Sequence, residues 1–137
     1  MTKLKRNILL CLCAALLLTG MFFGIRYLKS LSDYRRAVAE ISFGDIDPAD
    51  VRDGIYTGEC DVGFVYARVR VTVDSGRLVS VELLEHKNGR GSPAESILET
   101  MTERQSIYVD TVSGATNSSL VLEKAVENAL RQGLEAG

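Results

Sequence analysis

The sequence predicts an α+β protein: a small antiparallel sheet with flanking helices, preceded by one N-terminal transmembrane helix and a stalk helix. Three patterns lead to this prediction. Residues 8–25 carry no charge, residues 65–83 alternate between apolar and polar side chains, and residues 94–130 contain two stretches of helical periodicity. We divide the chain into a cytoplasmic tail and transmembrane anchor (1–25), a juxtamembrane stalk helix and linker (26–52) and a folded domain (53–137).

The apolar run at residues 8–25 is long enough to cross a membrane as a helix. It would extend roughly 27 Å at about 1.5 Å per residue, close to the thickness of the hydrocarbon core. Lys3, Lys5 and Arg6 precede it, and the positive-inside rule keeps such an N-terminus in the cytoplasm. No small-x-small cleavage site clearly ends the run, so we favour a retained anchor over a removed signal peptide. The chain would then be a single-pass protein of the cell membrane, with its C-terminal domain on the extracytoplasmic side.

Composition argues against several classes of function. The 16 Lys and Arg of the chain, less the three at the N-terminus, leave 13 against 18 Asp and Glu, a net charge of −5 beyond the anchor. No basic stripe is present, so we expect no nucleic-acid binding. Cys60 and His86, the only cysteine and histidine beyond the anchor, cannot build a zinc site, so no metal is expected. The chain has neither a P-loop nor a G-x-S-x-G pattern, and we predict no catalytic residue.

Residues 27–41 predict a stalk helix with one apolar seam. The seam residues recur at spacings of four, three, four and three, as on one face of a helix: Tyr27, Leu31, Tyr34, Val38 and Ile41. The seam could pack on its own domain or pair with a second copy, so a dimer through the stalk helix is one expectation. Gly44 and Pro48 then end the helix, and Asp47 is placed to cap a short turn.

The domain is predicted to open with a strand at residues 54–60, followed by an antiparallel hairpin. Cys60 would be either a buried residue of that strand or a thiol that pairs with another molecule. Alternate residues of the hairpin's first strand form an apolar face: Val65, Ala67, Val69, Val71 and Val73. Residues 74–76, DSG, are its turn, because Gly76 can take a positive φ. Val79, Val81 and Leu83 are expected to continue the buried face on the second strand.

Two helices complete the predicted domain. Ser92 as N-cap, Pro93 and Glu95 are typical of a helix start. That helix would bury Ala94, Ile97, Leu98 and Met101. After a short extended piece at 107–109, the closing helix would end at Gly133. Its buried stripe would comprise Leu120, Val121, Ala125, Val126, Ala129 and Leu130.

The stretch before the closing helix, VDTVSGATNSS at residues 109–119, is rich in small and hydroxyl-bearing side chains. Ser113, Gly114 and Ala115 are small enough to let backbone N–H groups approach an anion, and the positive end of the helix lies beside them. Thr116 adds a hydroxyl. On these residues alone two interpretations stay open: a phosphate site, or an ordinary helix N-cap in a turn.

The same stretch resembles a known family. Asp110, Ser113, Gly114, Ala115 and Thr116 match the D-x-x-S-G-A-T pattern of the FMN-binding domain family, the covalent-flavin domain of NqrC- and RnfG-type subunits and of small membrane-anchored flavoproteins. Residues 53–58, DGIYTG, resemble the family's D-G-x-Y-x-G opening, and the hairpin and closing helix follow in the family's order. The resemblance covers about eighty residues.

The resemblance implies an FMN cofactor attached to Thr116 by a phosphoester bond, which a separate FAD:protein FMN transferase makes. Asp110 would help the transferase recognise the motif, while Ser113, Gly114 and Ala115 would form the turn around the phosphate. His86 would line the flavin. The family's large-complex subunits have a histidine followed by glutamate, threonine and proline, whereas His86 is followed by KNGRG. This departure favours a stand-alone carrier over a subunit of those complexes.

The implied function is therefore a redox carrier, and not an enzyme with its own substrate. FMN would relay electrons from a membrane electron donor to an electron acceptor on the outer face. Two alternatives stay open: a non-covalent FMN-binding sensory or regulatory module, and a flavin-free interaction module.

Overall fold

The computed structural model describes residues 2–87 and 91–135, and the chain forms two compact units, Met1–Arg35 and Arg36–Gly137. The first helix, α1, runs without a break over Lys3–Ala39, so the predicted anchor and stalk are one continuous helix. Ile41, the last residue of the predicted seam, lies beyond its end. Within the described residues, α1 is the helix long and apolar enough to cross a membrane, a property that an N-terminal signal sequence shares. The predicted division at residues 25 and 52 stays a prediction.

The second unit contains the predicted antiparallel sheet. Its three strands are β1 (Gly54–Asp61), β2 (Tyr66–Asp74) and β3 (Arg77–Lys87), in the order β1-β2-β3. Ser75 and Gly76, at φ 55° and 72°, form the two-residue hairpin turn between β2 and β3. The face predicted from the alternation of β2 and the residue before it is confirmed as buried: Val65, Ala67, Val69, Val71 and Val73. The predicted α+β class is therefore confirmed.

Two bulges in β3 change which of its side chains face the core. Val73 pairs with Leu78 but Thr72 pairs with Ser80, which leaves Val79 as the extra residue of a bulge. Leu78 is 2% exposed and Val79 is 56% exposed, so the prediction that Val79 belongs to the buried face is wrong. A second shift between residues 68 and 69 of β2 makes Leu84 the extra residue on β3.

The segment after β3 begins with a 3₁₀ turn, Ser92–Ser96, which leads into α2, Ile97–Arg104. Gly91 is the N-cap and no side chain caps the turn, so the prediction of Ser92 as a hydroxyl cap is wrong. Glu95 does not reach back as in a capping box, because it hydrogen-bonds His86. The predicted apolar face is confirmed: Ala94, Ile97, Leu98 and Met101 are buried.

The closing helix, α3, covers Thr116–Glu135 and packs across β1 and β2. Its predicted apolar stripe is buried, apart from the half-buried Leu120. Gly133 does not end the helix, contrary to the prediction. It lies inside α3, where an added Cβ atom would come within 2.8 Å of Tyr56, so glycine is needed there for close packing against Tyr56 and Val51.

The segment between α1 and β1 contains a capped 3₁₀ turn and is bound to α3 just before that turn. Asp47 caps the 3₁₀ turn Pro48–Asp50 by accepting a hydrogen bond from the Ala49 N–H at 2.9 Å, as predicted. Before it, the carboxylate of the fully buried Glu127 accepts the Gly44 N–H at 3.1 Å, and the Lys124 ammonium donates to the Ser42 carbonyl at 2.6 Å. Residues 42–46 are thus held against α3.

Candidate functional site

The small-residue stretch forms a tight turn that leads directly into α3. The Ala115 N–H donates to the Val112 carbonyl at 2.9 Å, and Gly114 has a φ of 79°, a conformation that favours glycine. The first i to i−4 hydrogen bond of α3 runs from the Ser119 N–H to the Ala115 carbonyl at 2.9 Å. The N–H groups of residues 116–118 precede that bond, so they lie at the positive end of the helix.

Solvent exposure separates the hydroxyl groups around the helix start. Thr116, the first residue of α3, is exposed, as are Ser113 and Gly114. Ser118 and Ser119 are 3% and 0% exposed, so another protein cannot reach them without local unfolding. Among the hydroxyls on the first turn of α3, Thr116 is thus the accessible one.

Two side chains on α3 hold the turn from beneath. Ser119 Oγ accepts the Val112 N–H at 3.0 Å and donates to the Ala115 carbonyl at 2.8 Å. One helical turn further on, Glu123 Oε1 accepts the Val109 N–H at 3.2 Å. Neither Ser119 nor Glu123 was predicted as part of the site, because in the sequence each looks like an ordinary polar residue of the closing helix.

The environment of Glu123 changes its acidity. Burial raises its pKa to about 7, the hydrogen bond from the Val109 N–H acts in the opposite direction, and the nearby Asp110 carboxylate raises it again. A carboxyl group that titrates near neutral pH therefore lies beneath the turn.

His86 lies near the end of β3, opposite Ala67 of β2. Its side chain is only 2% exposed, and its Nδ1 is 2.8 Å from Glu95 Oε1. The second bulge in β3 turns His86 to the face shared with the buried alternate residues of β2. The loop that follows His86 includes residues 88–90, which lie outside the described residues.

The sheet end that carries His86 is also the end nearest the start of α3. The Asn128 side chain donates to the Glu59 carbonyl at 2.9 Å, and the Gln132 side chain donates to the Thr57 carbonyl at 2.6 Å. α3 therefore runs antiparallel to β1, so the C-terminal end of β1, at residue 61, lies on the side of the N-terminal half of α3. Because the strand register joins residue 61 to 66 and residue 66 to 87, His86 lies at that same end.

The structure thus places the predicted site residues in two groups. Asp110, Ser113, Gly114, Ala115 and Thr116 belong to one continuous turn and helix start. His86 comes from a different element at the same end of the sheet, and its role toward a flavin stays a prediction.

The turn suits a phosphate group. Backbone N–H groups at a helix start and the positive end of the helix are the features that bind phosphate in proteins, and Thr116 adds an exposed hydroxyl. An atom added at the Cβ position of Gly114 would meet nothing within 4 Å, so the space above the turn is open. Elsewhere, the described residues contain no group of three or more His, Cys, Asp or Glu side chains that could hold a metal ion.

Comparison with known proteins shows which family the part of the chain that contains the turn resembles. The model of the FMN-binding domain family matches residues 66–131. This part of the chain belongs to that family. The matched residues of the FMN-binding domain include His86 and the whole 110–116 motif, and they confirm the predicted resemblance, whereas the opening motif at 53–58 lies outside them.

One relative from the curated proteins is an uncharacterized protein of Treponema pallidum (strain Nichols). It is 31% identical to this chain over 88 residues, which is 62% of this chain and 24% of the relative. The chain therefore spans about a quarter of the length of that relative.

The opening motif outside the matched residues has packing roles. Asp53 Oδ1 accepts the Ser75 N–H at 2.8 Å, which ties the start of β1 to the hairpin turn. The Tyr56 hydroxyl donates to the Arg52 carbonyl at 2.7 Å, and Gly58 lies directly against α3. These residues therefore seat β1 on the helix that begins with Thr116.

Proposed function

We propose that this protein is a membrane-anchored flavoprotein that carries FMN, attached covalently to Thr116 by a phosphoester, and that acts as an electron carrier on the outer face of the membrane. The observation that carries the proposal is the position of Thr116. It is the exposed hydroxyl on the first turn of α3, at the end of the D-x-x-S-G-A-T pattern of an FMN-binding domain.

The chain's own residues would hold the phosphate end of the cofactor. The positive end of α3 at Thr116 would attract its oxygens, and Gly114 would provide the left-handed conformation that the turn before the helix needs. Ser113 and Asp110 lie on the same exposed turn, where a modifying enzyme can contact them. FMN, once bound, supplies the electron transfer, and the protein anchors and orients it.

Attachment would be the work of an FAD:protein FMN transferase. Thr116 Oγ1 attacks the FMN phosphorus of FAD, the P–O–P bond breaks, AMP leaves, and the hydroxyl proton passes to a base of the transferase. The protein is then the substrate of an enzyme and not an enzyme itself. A membrane electron donor and an electron acceptor on the outer face are the partners that a carrier requires, and a dimer through the stalk part of α1 stays a prediction.

The membrane orientation has a direct test. We propose that α1 is a retained anchor and that the domain faces outward, because three basic residues precede the apolar run: Lys3, Lys5 and Arg6. A reporter that is active only in the cytoplasm, fused after residue 137, should give no signal in cells. Strong reporter activity would reverse the orientation and remove the domain from an outer-face transferase.

The covalent flavin is tested by co-expression with the transferase. The parent protein should gain the mass of one FMN and fluoresce in a denaturing gel, since a phosphoester survives unfolding. Thr116→Val keeps the branched shape but removes the oxygen, so the fold should persist and the added mass should vanish. Ser113→Ala, the matched control on the exposed turn, should still acquire FMN, though more slowly.

Each alternative has its own outcome in that experiment. A flavin that is released on denaturation would support the non-covalent FMN-binding module. A colourless parent protein would support the flavin-free interaction module. FMN retained by Thr116→Val would show that a different residue is the acceptor.

A further inference from the structure

The flavin-attachment motif is fastened to α3 at two points by buried polar side chains. Ser119, which is fully buried, bonds both the Val112 N–H at 3.0 Å and the Ala115 carbonyl at 2.8 Å. Glu123, 5% exposed, accepts the Val109 N–H at 3.2 Å. All three bonds go to the backbone of the motif and not to its side chains.

The positions of these bonds decide what they fix. Val109 and Val112 stand immediately before and two residues after Asp110, so their bonds hold the backbone on both sides of that carboxylate. Ala115 stands immediately before Thr116, so its bond to Ser119 fixes the chain where it enters the helix. The side chains of Asp110 and Thr116 themselves stay exposed.

Such fastening matters because the motif is a turn of small, exposed residues. Fixing the backbone of a flexible residue costs conformational entropy. If the motif were loose, ordering it would weaken binding to the transferase. A motif that is already ordered by folding avoids this loss. Group transfer is also sensitive to displacements of about 1 Å between the reacting atoms.

We propose that Ser119 and Glu123 are positioning residues for flavin attachment, which hold Asp110 and Thr116 in the single arrangement that the transferase recognises. This inference rests on the proposed function. It assigns neither residue contact with FMN: Ser119 and Glu123 act through the backbone of the motif.

The chain offers a matched control for each residue. Ser119→Ala removes the bonds to Val112 and Ala115, and Ser118→Ala removes an equally buried hydroxyl from the neighbouring position. Glu123→Leu removes the acceptor for the Val109 N–H, and Glu123→Gln keeps an acceptor oxygen of the same reach. The bonds, and not burial or helix propensity, distinguish the members of each pair.

The first measurement is the initial rate of FMN incorporation. Flavin-free, full-length protein in detergent is mixed with transferase and FAD, and the intact mass is followed in time. Ser119→Ala and Glu123→Leu should load FMN about tenfold more slowly or worse. Ser118→Ala and Glu123→Gln should load at a rate within about twofold of the parent, so the glutamine variant restores what the leucine variant loses.

The second measurement is amide hydrogen exchange of the same flavin-free proteins. Ser119→Ala should speed exchange at Val112 and leave Val109 unchanged, and Glu123→Leu should do the reverse. Unchanged exchange at Ala125 and Val126 in the core of α3 would show that the fold is intact. Should Ser119→Ala fail to fold, the two Glu123 variants decide alone.

The outcomes separate this inference from the proposed function. If the parent loads FMN and both Ser119→Ala and Glu123→Leu load at the parental rate, the positioning role is wrong while the proposed function stands. Equal slowing by Glu123→Gln and Glu123→Leu would overturn the acceptor role of Glu123. A parent that never loads FMN overturns both.

Discussion

Gly58 of β1 lies directly against Ala129 of α3, so that a Cβ atom at Gly58 would come within 2.8 Å of the Ala129 Cα. The nearest atoms there belong to the helix backbone, which cannot move aside like a flexible side chain. This contact, together with the packing of the Tyr56 side chain on Gly133, sets the distance between the sheet and the helix that begins with Thr116.

Gly58→Ala should destabilise the domain by about 2–3 kcal/mol, because the added methyl group must separate β1 from α3. The free energy of unfolding is measured by urea denaturation of the full-length protein in detergent, followed by tyrosine fluorescence. The neighbouring Thr57→Ala, on the exposed side of β1, should change it by less than about 1 kcal/mol. Equal effects of the two variants would mean that Gly58 does not lie on the face of β1 that contacts α3.

Val71→Asp should unfold the domain or cost it several kcal/mol. Val71 is fully buried in the centre of β2, and an isolated carboxylate there has no partner. Arg70→Asp is the control: Arg70 is exposed and forms a surface ion pair with Glu82 at 3.1 Å, a type of interaction worth about 1 kcal/mol or less. Similar losses for both variants, by circular dichroism on heating, would contradict the strand register.

Glu127→Gln should loosen residues 42–46 from α3. Burial raises the pKa of Glu127, but hydrogen bonds from Lys124, Gly44 and Arg131 outweigh it and lower the pKa overall. The carboxylate therefore stabilises the fold above its unfolded pKa of 4.5, and that contribution is lost as the pH falls through the lowered value. Limited proteolysis at pH 7.5 should cut the variant faster between residues 42 and 46.

The matched control for that experiment is Glu103→Gln, which removes an exposed carboxylate from α2. Its cleavage rate should equal that of the parent. If Glu127→Gln is also cut at the parental rate, the buried carboxylate does not hold this segment.

Glu123 should give the domain the opposite dependence on pH. Its folded pKa of about 7 lies above the ordinary value of 4.5, so between these two values the folded state binds more protons than the unfolded state. Stability should therefore fall as the pH rises through that window. Glu123→Gln removes the fall, so its advantage over the parent should grow from near zero at pH 4.5 to at most about 3 kcal/mol at pH 8.

Denaturation midpoints of the parent and Glu123→Gln at several pH values test this directly. The difference between the two proteins isolates Glu123, since every other group titrates in both. A difference that stays constant from pH 4.5 to 8 would show that Glu123 does not titrate in this range.

Gly114→Val should weaken flavin attachment for a reason of backbone conformation. The space around its Cβ position is open, but its φ of 79° is strained for a β-branched residue. Gly114→Asn should retain more attachment, because asparagine tolerates the left-handed region better. The comparison uses FMN incorporation by intact mass. Equal attachment by the two variants would mean that the turn does not need this conformation.

The sequence alone determined the elements whose evidence is local. A charge-free run predicted the long helix, the alternation in β2 predicted its buried face, and the apolar repeat after residue 116 predicted α3. Each pattern reflects the period of a single element, 2.0 or 3.6 residues, so consecutive residues contain all the information needed. The same holds for the D-x-x-S-G-A-T motif, because its five matching residues occupy one continuous turn.

The tertiary structure decided everything that depends on partners distant in the chain. Val79 faces outward because β3 pairs with β2 through a bulge, and no count of alternating residues in β3 reveals where the bulge falls. Gly133 continues the helix because Val51 and Tyr56 pack against it, so a residue typical of a helix end is needed here for close approach. In the sequence, Glu123 resembles a surface residue of a helix. Only the fold brings the Val109 N–H close enough to donate a hydrogen bond to it. Local patterns specify which element forms, and only long-range packing specifies which side chains it brings together.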